Sequence, residues 1–360
     1  MDAIGALMAW LRDAGATCDG LTVGPVPSGR GIVATRPIAA GEVVARIPRA
    51  LLITREHARA SSVGRQLRDA NVELSSSHAT FAAWLCVEAR RATSPYAPYL
   101  RSLPAAYDGF AIHAPADERA LLRGTLTGDR LALLEHDLAR DHALAAARAR
   151  LMAGVDRATF TWARLCVGSR AFAVTIDGVA TNALVPLADL INHAPAPVTR
   201  WAYDQEAAAF TLTAVADVAA GAELTDSYGA KSNGQLAVQY GFTVDDNPAD
   251  VAEIAGRAAG LPDDDEAAQA LWKQLGRDRA PPAQVAAALA AACEAALARL
   301  PADDDDARLA RPDLTPRARD FVRARRGERR VLAAWQARAR AYADAAAPTA
   351  RDRSAAIVAA

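Results

Sequence analysis

Two β-rich blocks with glycine turns, held apart by a long stretch of helical pattern, constrain this chain more than any other feature. The first block, residues 21–54, reads LTV, the turn PSGRG, IVAT, the turn IAAGE, then VVARIP. Gly29, Gly31 and Gly41 stand where tight turns favour positive φ. The second block, residues 183–242, contains AFTLTAV, the turn VAAGAE and LTDSY. Between them, residues 75–164 follow a helical period, as in Phe81, Trp84, Leu85 and Glu88 at i, i+3, i+4 and i+7. Each β block can bury its apolar face only by pairing with the other across the insertion. The spacing therefore predicts an α+β domain over residues 1–245 with a helical excursion at about 75–164. Beyond Asn247 the pattern is helical again, so residues 246–360 are expected to form an all-helical module. Its acidic runs, PDDDE and PADDDDA, read as solvated loops or as charges at helix N-termini.

Charge and cysteine usage narrow the class. With 41 basic and 42 acidic residues the net charge is −1, which argues against a protein that holds nucleic acid through phosphate contacts. Only Lys231 and Lys273 among the 41 basic residues are lysine, a bias that with the abundant alanine suggests a GC-rich genome. The four cysteines, Cys18, Cys86, Cys166 and Cys293, form no CxxC pair, so neither a zinc knuckle nor a dithiol site is expected. A disulfide framework is not expected at this size, which points to a reducing, cytoplasmic setting. At the N-terminus Ile4, Leu7, Met8 and Leu11 share one helical face, so the segment reads as an amphipathic helix and not a signal peptide. No uninterrupted apolar run reaches about 18 residues, VAAALAAACEAALARL coming nearest but broken by Glu294, and a monomer without membrane attachment is expected.

Three segments concentrate residues with special roles. In PSGRGIVATRPIAAGE, the glycine turn is either only a turn or a place where the backbone N–H groups of Ser28, Gly29 and Arg30 approach a ligand. In ALVPLADLINHAP, Asp189 and His193 stand at i, i+4, but no third ligand follows at a sensible spacing, so no metal is expected. Asn192 and His193 there either close a turn or grip a polar cofactor. In AGAELTDSYGAKSNGQLAVQYGF, two Tyr-Gly pairs, Tyr228-Gly229 and Tyr240-Gly241, fall close together. None of the three defines a reaction alone.

Their order does. GRGIVATRPIAAGE, PLADLINHAP and GAELTDSYG, in this sequence, closely resemble the SET-domain protein methyltransferases. SRAF at Ser169 to Phe172, KSNGQLAVQYGF, and PYLRSLP at Pro98 to Pro104 are similar to the branch typified by the rubisco large-subunit lysine methyltransferase and the actin histidine methyltransferase. GERRVLAAW resembles the end of that branch's helical C-terminal domain. The resemblance implies a SET-domain β fold with a knot-like core and an inserted helical subdomain, followed by an all-helical domain that docks the protein substrate. It implies S-adenosyl-L-methionine as cofactor and methylation of a protein lysine. The alternatives are protein-histidine methylation and a SET-like interaction module without turnover.

The resemblance also distributes roles. Tyr228 matches the catalytic tyrosine at the inner end of the family's channel. Ser28, Gly29 and Arg30 match the first cofactor loop, although the family often has Glu and an apolar residue where Ser28 and Arg30 stand. Arg170 matches an arginine that meets the cofactor's methionine carboxylate, a task suited to a guanidinium fork. Asp189, Leu190, Ile191, Asn192 and His193 match the segment that holds the cofactor, and Tyr240, Gly241 and Phe242 match its closing wall. Phe172, Tyr203, Tyr228 and Tyr240 are implied to line the substrate channel. Phe172 stands where the histidine-modifying relative has an asparagine, and an aromatic ring there suits a lysine stem and ammonium. The run TPRARDFVRARRGERR reads either as a basic patch for an acidic partner or as an exposed helix face.

Overall fold

The computed structural model describes residues 2–261 and 282–345. At the N-terminus the Asp2 carboxylate accepts from the Gly5 N–H at 2.7 Å and starts the helix Ala3–Asp13. Leu7, Met8 and Leu11 form its buried face. The first β block supplies strands β1 (Leu21–Val26), β2 (Gly29–Ala34), β3 (Val43–Pro48) and β4 (Ile53–Thr54). The second supplies β5 (Phe172–Ile176), β6 (Val179–Leu184), β7 (Asn192–His193), β8 (Thr199–Asp204), β9 (Ala209–Ala214) and β10 (Glu223–Asp226).

The blocks pair across the insertion, as burial of their apolar faces requires. One sheet has the order β1-β2-β10-β7, a second β3-β9-β8 and a third β4-β6-β5. Ile32 lies opposite Leu224 and Ile47 opposite Phe210, and all four are fully buried. The pair β10 and β7 is parallel, which sets Thr225 beside Asn192 and Asp226 beside His193. The β character begins earlier than the sequence reading placed it, at Phe172. The β5–β6 hairpin turns on Asp177 and Gly178, both in the left-handed region at φ 51° and 77°. Asp-Gly between alternating residues is the sequence signature of such a turn.

Packing divides the described chain into two compact units, Met1–Tyr107 with Leu134–Gly229, and Asp108–Leu133 with the chain from Ala230. The second unit departs from its all-helical expectation. Strands β11 (Ala252–Ile254) and β12 (Arg257–Ala259) form a hairpin turned by Ala255 and Gly256 at φ 51° and 79°. Ile254, Cys293, Val331 and Trp335 bury a common core, and the Trp335 indole donates to the Gly260 carbonyl at 2.6 Å.

Charge in the second unit is largely internal. Asp304 accepts from the N–H groups of Asp306 and Ala307 and starts the helix Asp305–Leu309. Asp305 is buried and receives Nε of fully buried Arg325 at 2.8 Å and Nε of Arg329 at 3.0 Å. Arg317 pairs with Glu118, Arg323 with Asp245, and Arg326 with Asp246 and Asp306. Within PADDDDA, Asp303, Asp305 and Asp306 thus pair with Arg325, Arg326 and Arg329 of the helix Pro316–Ala345. PDDDE, Lys273 and the remainder of 262–281 and 346–360 lie outside the described residues. Among the described residues no helix is long and apolar enough to cross a membrane.

Candidate active site

The approach to the site is a strained turn. Leu187, fully buried, is held at φ 74°, ψ −54°, a conformation costly for a residue with a Cβ. A short turn of 3-10 helix, Ala188–Leu190, follows and delivers Asn192 and His193 into β7. Because β7 runs parallel to β10, the end of β10 carries Tyr228 back over the same segment. The Tyr228 backbone N–H donates to His193 Nδ1 at 3.1 Å, and its hydroxyl donates to the Ile191 carbonyl at 2.8 Å. The two rings lie 5.3 Å apart. An accepting Nδ1 places the proton of a neutral His193 on Nε2.

Asn192 joins this segment to the first glycine turn. Its amide nitrogen reaches Ser28 Oγ at 2.9 Å, the Arg30 carbonyl at 3.1 Å and Glu223 Oε1 at 2.8 Å. Gly31 makes that approach feasible. A Cβ there would stand 2.6 Å from Glu223 Oε1 and 2.8 Å from Asn192 Nδ2. Gly29 is different: it holds φ 112° with open space around it, so its demand is conformational.

Behind these residues lies a buried polar cluster. The Tyr99 hydroxyl donates to Asp189 Oδ2 at 2.8 Å. Arg170 donates through Nη1 to the Asp189 carbonyl at 2.7 Å and through Nε to the Tyr107 hydroxyl at 3.1 Å. Its Nη1 also lies 3.6 Å from Asp189 Oδ2. Burial acts to lower the Arg170 pKa, but Asp189 and Tyr107 together raise it, so the guanidinium stays charged. Burial pushes the Asp189 carboxyl up, and its Oδ1 has no partner.

Of the residues expected to line the channel, Phe172 and Tyr203 stand with an aromatic group in the first unit. Phe172 meets Trp201 and Phe210 edge-on at 5.5 and 5.0 Å, and Trp201 stacks on Phe210 at 5.5 Å. Tyr203, two residues from Trp201 on β8 and so on the same face, has a buried hydroxyl without a hydrogen-bond partner. Tyr240, Gly241 and Phe242 belong to the second unit. There the Tyr240 and Phe242 rings lie 6.2 Å apart, and burial pushes the Tyr240 hydroxyl up to about 12. Gly241 at φ 78° leaves no room for a Cβ, which would stand 2.8 Å from Phe110 Cδ2.

Sequence reasoning missed Tyr99, Tyr107, Glu223, Trp201 and Asp226. Tyr99 lies within the quoted PYLRSLP, so a signal was present but carried no role. Asp226 is buried one residue before Ser227-Tyr228, and burial pushes its carboxyl up to about 6. Among the described residues no group of three His, Cys, Asp or Glu side chains is arranged to hold a metal ion.

Fold and site together define a class, and comparison identifies it. The SET-domain family profile matches residues 29–229, more than half of the chain. The chain belongs to the SET-domain family. It is similar to actin-histidine N-methyltransferase of Danio rerio, 29% identical over 265 residues, covering 70% of this chain and 44% of that protein. The same-named protein of Dasypus novemcinctus is 30% identical over 260 residues, covering 69% and 44%. This chain thus spans less than half the length of those curated relatives. Among solved structures, the SET domain of LSMT bound to lysine and AdoHcy superposes with a TM-score of 0.78 at 20% identity, covering 98% of this chain and 94% of that one. Rubisco LSMT bound to AdoMet gives 0.77 at 21% identity, covering 98% and 95%. These likenesses show a shared fold of mixed strands and helices with a helical C-terminal region.

Proposed function

We propose that this chain is an S-adenosylmethionine-dependent protein methyltransferase acting on a lysine side chain. The observation that carries this reading is the double attachment of Tyr228, through its backbone to His193 and through its hydroxyl to Ile191, beside the hydrogen bonds of Asn192 to Ser28 and the Arg30 carbonyl. S-adenosylmethionine, when bound, supplies an electrophilic methyl group on sulfonium sulfur. The residues present suit such a group: Gly29 has open space around it for close backbone approach, Asp189 Oδ1 is an acceptor without a partner, and Arg170 is a fixed cation. Ser28, Gly29, Arg30 and the segment from Asp189 to His193 hold the cofactor in this reading. Tyr240, Gly241 and Phe242 are assigned to it on the sequence resemblance.

Tyr228 then orients the reacting atoms. Donation of its proton to Ile191 turns the lone pairs of the phenol oxygen outward, where they accept from a polarised C–H or from the amine. The amine must arrive uncharged and in line, so most of the catalysis is positioning. Phe172 and Trp201 offer apolar contact and cation–π attraction to a lysine stem and its ammonium before the proton leaves. Histidine is the second reading, supported by the names of the relatives just described. A protein substrate docked on the helical C-terminal unit completes the proposal, in a chain expected to act as a monomer in the cytoplasm without nucleic acid.

Incubation with tritiated S-adenosylmethionine and a cell lysate, followed by amino-acid analysis, tests it. The expected result is label in protein as methyl-lysine. Absence of transfer together with absence of cofactor binding by calorimetry would overturn the enzyme reading.

A further inference from the structure

Outside the residues assigned to cofactor and channel, the first unit holds a second aromatic cluster. The helix Arg55–Ala60 carries His57, the helix Ser77–Ala89 carries Trp84, and Tyr96 stands just ahead of the helix Ala97–Ser102. The His57 ring lies 5.5 Å from Trp84 and 5.5 Å from Tyr96, at 87° to each. Trp84 and Tyr96 are 5.7 Å apart at 76°. Three ring planes so nearly perpendicular meet as the walls of a corner. Trp84 is buried at its base, Tyr96 is half-buried, and exposed His57 brings the corner to the surface. Burial lowers the His57 pKa, with Glu88 opposing, so the imidazole favours its neutral form.

Glu88 adds a carboxylate. It stands at i+4 from Trp84 on the same helix, which sets the two side chains side by side on one face. Glu88 is only 7% exposed, and its Oε1 is buried without a hydrogen-bond partner. Arg91 Nη1 approaches that oxygen to 3.7 Å, outside hydrogen-bonding range, from an exposed side chain. A carboxylate oxygen withdrawn from water without a donor is costly, and the ring faces beside it are electron-rich as well. What this corner lacks is a cation that both lies against aromatic faces and donates a hydrogen bond. An unmethylated ammonium is strongly hydrated, and a quaternary one has no N–H. A mono- or dimethylated ammonium meets both requirements.

We propose that His57, Trp84, Tyr96 and Glu88 bind a partially methylated ammonium group, the head of a mono- or dimethyl-lysine side chain. The N-methyl groups rest on the rings, and an N–H donates to Glu88 Oε1. The proposal does not depend on the methyltransferase reading, which supplies only a source for the ligand, since a methylated protein is the product of that reaction.

NMR titration of the full chain with matched peptides carrying lysine, dimethyl-lysine or trimethyl-lysine tests it, read on the side-chain signals of each peptide. In the unaltered protein the dimethyl-lysine peptide is expected to bind about threefold or more tighter than the trimethyl-lysine peptide, and about tenfold or more tighter than the lysine peptide. Tyr96→Leu should weaken the dimethyl-lysine peptide about fivefold or more, and Glu88→Gln should remove its advantage over the trimethyl-lysine peptide. Equal affinity for the three peptides, or no binding of any at millimolar concentration, would overturn the proposal without recourse to a variant. Binding lost in Phe172→Asn and kept in Tyr96→Leu would assign it to the expected lysine channel and overturn it too. Dimethylammonium chloride that bound as tightly as the peptide would show that the lysine stem adds nothing and overturn the assignment to a side chain. A chain that shows the expected preferences but transfers no methyl group would keep this proposal and lose the methyltransferase reading.

Discussion

The Tyr228 hydroxyl donates to the Ile191 carbonyl at 2.8 Å, while the Tyr228 backbone N–H donates to His193 Nδ1 at 3.1 Å. One residue is thus tied at both ends to the segment Ile191–His193. The backbone tie is independent of the phenol, so the two contributions separate on substitution. Tyr228→Phe keeps the ring, the N–H and the His193 contact. It should lower the methyl-transfer rate by about a hundredfold or more and leave cofactor affinity within about twofold. Single-turnover transfer and calorimetry measure the two quantities. An equal loss in both would make the hydroxyl a binding or folding group.

Gly31 and Glu223 define a second relationship. A Cβ at position 31 would stand 2.6 Å from Glu223 Oε1, well inside contact distance. Gly31→Ala should therefore cost about 1–3 kcal/mol in urea unfolding and displace Asn192 from Ser28 and Arg30. Shortening the neighbour relieves the clash. The double variant Gly31→Ala with Glu223→Ala should recover part of the loss, a coupling of about 0.5–3 kcal/mol. Strict additivity would mean that the strain lies elsewhere.

How much of this was legible in the sequence differs residue by residue. The pairing of β2 with β10 and of β3 with β9 followed from burial, since neither glycine-turned block could cover its apolar face alone. Asn192 and His193 stood out as a polar pair emerging from an apolar segment, and Tyr228 as one of two closely spaced Tyr-Gly pairs within a motif that resembles the family's. Glu223 and Tyr107 did not, because their roles depend on partners far away in sequence, Asn192 and Arg170. The hairpin β11–β12 was missed since Ala255, an alanine at φ 51°, gives no turn signal. The Asp177-Gly178 turn carried a clear signal that the neighbouring SRAF motif overshadowed. The arginines of the C-terminal helix read as a surface run because nothing local shows that Asp305 comes to meet Arg325.

That last pair carries its own prediction. Arg325 is fully buried, and Asp305, also buried, accepts from it and from Arg329. Removing the cation takes the fully buried partner from a buried carboxylate and leaves it Arg329. Arg325→Met should destabilise the protein by about 3–5 kcal/mol, and the double variant with Asp305→Leu should be nearer the unaltered protein than the single one. Chemical denaturation of the three proteins checks the ordering. A double variant worse than Arg325→Met would show that Arg329 depends on Asp305 more than Arg325 does.

Asp226 makes stability depend on pH. Burial raises its carboxyl to about 6, above its ordinary range, so the folded state binds the proton more tightly than the unfolded state. Its contribution is complete at low pH and is lost as pH rises through about 6. Asp226→Asn removes the ionisation cost. The variant's melting temperature relative to the unaltered protein should rise between about pH 5 and pH 8. A pH-independent difference would mean that Asp226 does not titrate in this range.

The identity of the nucleophile is readable from the rate above neutral pH. Only an uncharged nitrogen attacks, and a free lysine amine ionises near about 10.4 whereas imidazole does so near about 6.5. Asp226 titrates at about 6, so the comparison belongs above pH 7, where that carboxylate is already formed. For lysine, log kcat/KM should climb with near unit slope from about pH 7 to pH 9, and for histidine it should be flat over the same interval. The aromatic group supplies an independent arm. Phe172 packs edge-on to Trp201 and Phe210, an apolar wall suited to an alkyl stem. Phe172→Asn should lower kcat/KM for a lysine peptide by about tenfold or more and raise it for the matching histidine peptide. A flat profile together with a histidine preference in the unaltered protein would move the assignment from lysine to histidine. The ties that hold Tyr228 and Asn192 would remain as they are, since both nucleophiles need the same in-line placement.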